Sequence, residues 1–180
     1  MKNYKFTIFI PVYNGSNTLN RVFTSIIEQT YKNFEVIIIN DGSTDNSDSI
    51  IKSFINCHKD LNIIYLNESQ NRGKHIIWNK AVSLSQGDYF IPADCDDSFI
   101  NETLEFYNNK LNTLNQEILN NISGINVCCY NPLDTKIIGD TYPYDGIISD
   151  NIELTYKYKI KGEHWGTIKT TVSSQKMAIN

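Results

Sequence analysis

The sequence predicts an α/β fold with a mostly parallel central sheet flanked by helices. Three observations carry this. From the N-terminus to residue 97, short β-branched and aromatic runs alternate with amphipathic helical stripes. Each run ends in a polar loop rich in Gly, Asn, Asp or Ser. Alternation of this kind builds parallel strands joined by right-handed crossovers.

The elements follow in order. Residues 6–12 (FTIFIPV) form a first strand, ended at Pro11. Residues 18–27 place Leu19, Val22, Phe23, Ile26 and Ile27 at helical spacing, after the turn Asn14-Gly15-Ser16-Asn17. Residues 34–39 are apolar enough for a strand buried on both faces. After the loop 41–45, residues 47–55 repeat the helical stripe. A third strand (62–66), a polar loop (67–73), a helix (74–85) and a fourth strand (89–93) complete the alternation. Farther on, Ile100, Leu104, Tyr107, Leu111, Leu114 and Ile118 step by four and three, which predicts one long helix. Residues 124–130 predict a strand, 131–162 a loop-rich stretch and 164–172 a last strand. The 180 residues suit one domain, with a regular βα half at 1–97 and a less regular half at 98–180.

Composition narrows the function. At 41% hydrophobic and 20% charged, the chain is not a disordered tail or a fibre. A net charge of −4 lacks the basic footprint of a nucleic-acid binder. No apolar run approaches the ~18 residues that span a bilayer. Residues 1–5 lead directly into a strand pattern, so a cytoplasmic chain is expected. Cys57, Cys95, Cys128 and Cys129 include no CxxC pair, and reduced, mostly buried thiols are expected.

In a parallel α/β sheet, ligands bind beyond the carboxyl ends of the strands. That rule selects the loops 13–17, 41–45, 67–73 and 94–97. Asp94-Cys95-Asp96-Asp97 sets three carboxylates within four residues at a strand end. Such a group repels itself unless a cation compensates, and hard oxygen ligands suit magnesium or manganese. The same residues would otherwise be an acidic cap on the next helix. Asp41 can accept a hydrogen bond from a base N–H, or simply belong to the turn at Gly42. Arg72 precedes a helix start where Lys74 and His75 also sit, and backbone N–H groups there favour anions.

Taken together, IPVYNGSNTL, EVIIINDGSTDNS, NRGKHIIWNKAV and GDYFIPADCDD resemble, in order and spacing, the family 2 glycosyltransferases. The resemblance is strongest over residues 8–97. The later stretch YKYKIKGEHWGTIKT resembles a bacterial subgroup of the same family. It implies a Rossmann-like GT-A fold, a nucleotide-sugar donor and an inverting transfer to an acceptor hydroxyl. Pro11, Val12, Tyr13 and Asn14 match the segment lining the nucleotide pocket. Asp41 matches the aspartate that reads uracil, and Arg72 lies in a loop that contacts the nucleotide. Asp94 and Asp96 match the DxD pair that meets the ribose or sugar and the divalent metal, manganese or magnesium. Asp97 is expected to support the ion indirectly.

Two departures concern donor choice: Ile77-Trp78 stand where the family often has Ala-Arg, and Pro92-Ala93 replace a bulkier apolar pair. The resemblance also implies a catalytic base in the acceptor half. Glu163 is the nearest candidate, with Asp145 and Asp150 behind it, and a base beyond residue 180 is the other expectation. The implied acceptor is a saccharide or lipid-linked saccharide in bacterial surface polysaccharide synthesis, with peripheral association at the inner face of the membrane. If acceptor-side helices are missing, exposed apolar surface and self-association are expected. A donor-binding domain without turnover is the competing function. A strand ending in DxDD also resembles the start of haloacid dehalogenases, but there it lies on the first strand, whereas here three βα units precede it.

Overall fold

Every residue of the strand Phe34–Asp41 is buried. A strand like that must be covered on both faces and paired on both edges. The computed structural model describes residues 1–131, 133–144, 146–162 and 164–171. The chain runs β1 (Phe6–Val12), α1 (Leu19–Ile27), β2 (Phe34–Asp41), α2 (Ser47–Cys57), β3 (Ile63–Glu68), α3 (Lys74–Leu84) and β4 (Tyr89–Pro92). Then follow α4 (Thr103–Thr113), α5 (Gln116–Asn121), β5 (Asn126–Asn131), β6 (Lys136–Ile138), a π-helical turn (Glu153–Lys157), β7 (His164–Gly166) and β8 (Ile168–Lys169).

The central sheet has the order β3-β2-β1-β4-β8. Its first four strands are parallel, and β8 is antiparallel to β4. Strand alternation sends Phe6, Ile8, Ile10 and Val12, with Val36 and Ile38, into one core shared with α1, α2 and α4. Phe9, Ile37, Ile39 and Phe90 point the other way, onto Ile77, Ala81 and Val82 of α3. Each such aliphatic or aromatic chain contributes about 1.5–3 kcal/mol by leaving water. Phe23 of α1 stacks on Phe54 of α2 at 4.1 Å, closing one layer.

One polar cluster interrupts the α3 face. Glu35 is buried, and its carboxylate accepts hydrogen bonds from Lys5 Nζ (2.6 Å), Thr7 Oγ1 (2.7 Å) and the Gln86 N–H (2.6 Å). Ser85 donates in turn to Thr7 Oγ1 at 2.7 Å. Burial pushes the Glu35 carboxyl up, but these donors outweigh it and hold it below its ordinary value.

A second sheet, β6-β5-β7, is antiparallel. β7 pairs with β5, and β8, one residue later, pairs with β4 of the central sheet. Thr167 between them is buried; its N–H donates to the Ile125 carbonyl (2.9 Å), and its Oγ1 accepts from the Ile125 N–H (3.1 Å). Trp165 donates from Nε1 to the Pro92 carbonyl at 2.5 Å and packs edge-on against Phe99.

Several expectations change. The predicted helix through Ile118 is two helices, α4 and α5. It breaks because Asn115 turns extended and its side chain caps the Ile118 N–H at 2.8 Å, a bond asparagine offers in competition with the helix. The last strand splits at Thr167 because its two parts serve different sheets, and Val172 lies outside the described residues. The loop-rich stretch contains β6 and the π-helical turn. None of the four cysteines is in a disulfide, but Cys57 is exposed and the others are half-buried rather than buried.

Replacing Glu35 with Gln is expected to cost about 2 kcal/mol at pH 7, because it removes the Lys5 partner's charge and unbalances the donors. Because the folded-state pKa is lowered, this stabilisation is full above the ordinary value of 4.5 and is lost as pH falls through the folded-state pKa. Urea unfolding of both proteins at pH 7 and in steps below pH 4.5 measures it: the gap between them should close with acid.

Candidate nucleotide-binding site

β1 lies between β2 and β4, and the chain leaves it toward β2 and β3 before returning to β4 on its other side. At such a switch point the loops after β1 and β4 diverge and open a crevice. β4 pairs with β1 only as far as Phe9, so Pro11, which lacks an N–H, falls where that pairing has ended. Val12 is buried and Tyr13, the next residue after β1, is 51% exposed.

The loops after β1 and β2 are fastened to each other. Asn14, at φ 52°, donates its N–H to Ser43 Oγ (2.9 Å) and accepts from the Thr44 N–H at Oδ1 (2.8 Å). The Gly15 N–H donates to Ser47 Oγ (3.0 Å), and the Ser16 N–H to Asp45 Oδ2 (3.0 Å). Asp45 also accepts from the Ser47 hydroxyl at 2.6 Å. Burial acts to raise the Asp45 pKa, but the Ser47 and Ser16 hydrogen bonds outweigh it and hold the carboxyl well below the usual aspartate range.

Asp41 is the last residue of β2 and is buried. Its Oδ1 accepts from the Arg72 N–H at 2.7 Å and its Oδ2 from the Gly73 N–H at 2.9 Å. It is therefore built into the structure, unlike the loosely held loop carboxylate that the turn at Gly42 suggested. Each oxygen keeps a further lone pair for a ligand N–H. Gly42, at φ 69°, lets the 67–73 loop approach this closely: a Cβ there would lie 2.3 Å from the Gln70 backbone. The Arg72 side chain itself is exposed.

Asp94-Cys95-Asp96-Asp97 forms a tight turn. The Asp97 N–H donates to the Asp94 carbonyl (3.0 Å), and Asp97 Oδ2 accepts from the Asp94 N–H (3.2 Å). Cys95 is turned inward, so close to Gly15 that a Cβ there would stand 2.9 Å from Sγ. Burial pushes its thiol pKa up. Arg21 of α1 donates to the Asp96 carbonyl and so braces the turn from behind. The Asp94 carboxylate meets Lys74 Nζ at 2.5 Å, while the Asp96 carboxylate is exposed and has no hydrogen-bonding partner among the described residues. A shallow depression of about 450 Å³ lined by Arg21, Glu28 and Ser98 runs along α1 beside the acidic turn.

The structure thus brings Tyr13, Asn14, Asp41, Asp94 and Asp96 to one edge, with the backbone of Arg72 attached to it. Glu163 and Asp145 lie outside the described residues, and Asp150 instead caps the π-helical turn, accepting from the Glu153 N–H at 2.8 Å. Sequence reasoning missed Arg21, Ser43, Asp45 and Ser47, whose roles depend on contacts between loops. Among the described residues, no three His, Cys, Asp or Glu side chains are grouped to hold a metal by themselves. Two carboxylates at a nucleotide crevice nonetheless fit magnesium or manganese, which are commonly held by one or two carboxylates with phosphates and water. No helix among the described residues is long and apolar enough to cross a membrane.

The mostly parallel five-stranded sheet flanked by helices matches GT-A glycosyltransferase structures. Residues 7–119 match the model of glycosyl transferase family 2, and the chain belongs to that family. Glycosyltransferase GlyA of Streptococcus pneumoniae is 34% identical over 166 residues, covering 86% of this chain and 22% of GlyA. An uncharacterized glycosyltransferase of Haemophilus influenzae is 37% identical over 99 residues, covering 55% of this chain and 39% of that protein. TarS 1-349 of S. aureus, solved with UDP, superposes with a TM-score of 0.56 at 27% identity, covering 61% of this chain and 32% of that TarS chain. The mannosyltransferase PcManGT of Pyrobaculum calidifontis, solved with GDP-Man and Mn2+, gives 0.63 at 23% identity, covering 75% and 38%. The chain spans 22% to 39% of the length of these proteins.

Asp41→Ala frees the N–H groups of Arg72 and Gly73 and is expected to cost about 1–2 kcal/mol. The released loop should also become a better protease substrate. Limited trypsin digestion, followed by mass spectrometry, should show faster cleavage after Arg72 than in the unaltered chain.

Proposed function

We propose that this chain binds a uridine diphosphate sugar across the ends of β1, β2 and β4 and transfers the sugar, with inversion, to an acceptor hydroxyl. The observation that carries the reading is the convergence of Tyr13, Asp41 and the Asp94–Asp96 turn on one sheet edge. TarS, the relative at 27% identity, was solved with UDP, which supports uridine as the base.

In this reading the exposed Tyr13 ring offers a flat wall for the base. The spare lone pairs of Asp41 accept its N–H, held in direction by the Arg72 and Gly73 amides. Asp94 faces the ribose or sugar, and Asp96, whose carboxylate has no partner among the described residues, would hold the divalent ion. When bound, that ion offsets the charge gathering on the departing diphosphate. A carboxylate takes the acceptor proton as the hydroxyl attacks the anomeric carbon from the opposite face, with Glu163 the proposed base. General-base assistance is typically worth about 10²–10⁴ in rate. The proposed acceptor is a saccharide or lipid-linked saccharide, met at the inner face of a membrane in bacterial surface polysaccharide assembly. Exposed Leu133, Ile148, Ile152 and Tyr156 support self-association through the acceptor side.

Calorimetric titration with UDP and GDP, with and without manganese, tests the donor site. UDP should bind more tightly than GDP, and manganese should tighten it. Asp96→Asn should remove the manganese effect while leaving thermal unfolding unchanged, since that carboxylate supports no contact in the fold. Full manganese enhancement in the variant would place the ion elsewhere. In a transfer assay, Glu163→Gln should lower kcat by at least about tenfold with UDP affinity unchanged. Donor binding without turnover in the unaltered chain would identify the competing donor-binding domain.

A further inference from the structure

We propose that Lys74 is a built-in counter-ion of the donor site, occupying on Asp94 the place of a divalent ion until donor and metal load together. The inference rests on the donor-site reading above and concerns how that site is filled. Lys74 is the first residue of α3, and its Nζ lies 2.5 Å from Asp94 Oδ1, bridging the two lips of the crevice. The backbone beneath it is fixed, because the preceding Gly73 N–H is held by Asp41 Oδ2 at 2.9 Å. Only the side chain needs to move for the pair to open.

The pairing is unequal across the acidic turn. Asp97 is engaged with the Asp94 backbone, Asp94 is neutralised by Lys74, and the Asp96 carboxylate is unpaired among the described residues. A metal ion arriving alone meets one unpaired carboxylate, with an ammonium beside it. Both ends of the Lys74–Asp94 pair are near half exposed, at 56% and 49%, so solvent screens it and it exchanges readily. A donor diphosphate changes the balance: it brings negative charge that takes the ammonium and oxygen ligands that complete the metal's shell. Asp94 is then released to the ion or the sugar. Lys74 thereby makes metal and nucleotide affinities interdependent, and linkage requires the coupling to act equally in both directions.

The test measures manganese binding to the nucleotide-free chain by the electron paramagnetic resonance of free Mn2+, together with UDP titrations at zero and saturating manganese. Lys74→Met keeps the apolar stem and removes the charge, and Lys74→Arg keeps the charge. With no nucleotide present, Lys74→Met should bind manganese about fivefold more tightly than the unaltered chain. Its manganese-induced tightening of UDP should shrink by at least the same factor, and Lys74→Arg should behave like the unaltered chain. Manganese affinity unchanged or weakened by Lys74→Met would overturn the inference. So would full retention of the coupling in that variant while the unaltered chain shows it. Absence of any manganese effect on UDP in the unaltered chain would instead overturn the donor-site reading, and this inference with it.

Discussion

Burial of β1 and β2 on both faces is the constraint from which the arrangement of polar groups follows. Helices cover both sides of these strands, and neighbouring strands take their backbone bonds. Polar side chains in such a layer must find partners at once or stand at the strand ends. Both solutions are present. Glu35 and Thr7, near the amino ends of β2 and β1, satisfy each other with Lys5, Ser85 and Gln86. At the carboxyl ends, Asp41 is buried against the Arg72 and Gly73 amides, and Asp96 and Asp97 of the acidic turn stand exposed.

The carboxyl-end loops owe their shape to one another rather than to their own sequences. Asn14 is tied to Ser43 and Thr44, Asp45 to Ser16, and Asp41 to Arg72 and Gly73. Arg21 fastens the acidic turn to α1. These bonds lie wholly within the chain, and each one lowers the cost of ordering the loops on binding. Asp41 illustrates how the proposed reading gives one carboxylate two duties. Its bonds to the Arg72 and Gly73 amides fix its direction, and the proposed contact with a base edge would use that direction.

The βα alternation was legible because period-2 and period-3.6 patterns are local and strong over residues 6–92. The edge carrying the site was legible too, since Tyr13, Asp41, Asp94 and Asp96 all follow apolar strand runs. What escaped depended on competition between partners or on contacts far along the chain. The break between α4 and α5 rests on Asn115 preferring to cap rather than continue, against an apolar stripe that ran on to Ile118. The division of the last strand at Thr167 requires knowing that two sheets compete for it. Arg21 gave no local signal, because its acceptor lies 75 residues away. The partnership of Lys74 with Asp94 is equally invisible along the chain, though both residues stood out singly.

The short passage from β7 to β8 has a mechanical meaning. Within six residues the chain is pinned to both sheets, with buried Thr167 as the pivot and Trp165 grasping the Pro92 carbonyl. Pro92 lies two positions before Asp94. The two sheets therefore share one short anchor, and the carbonyl it holds lies at the root of the acidic turn.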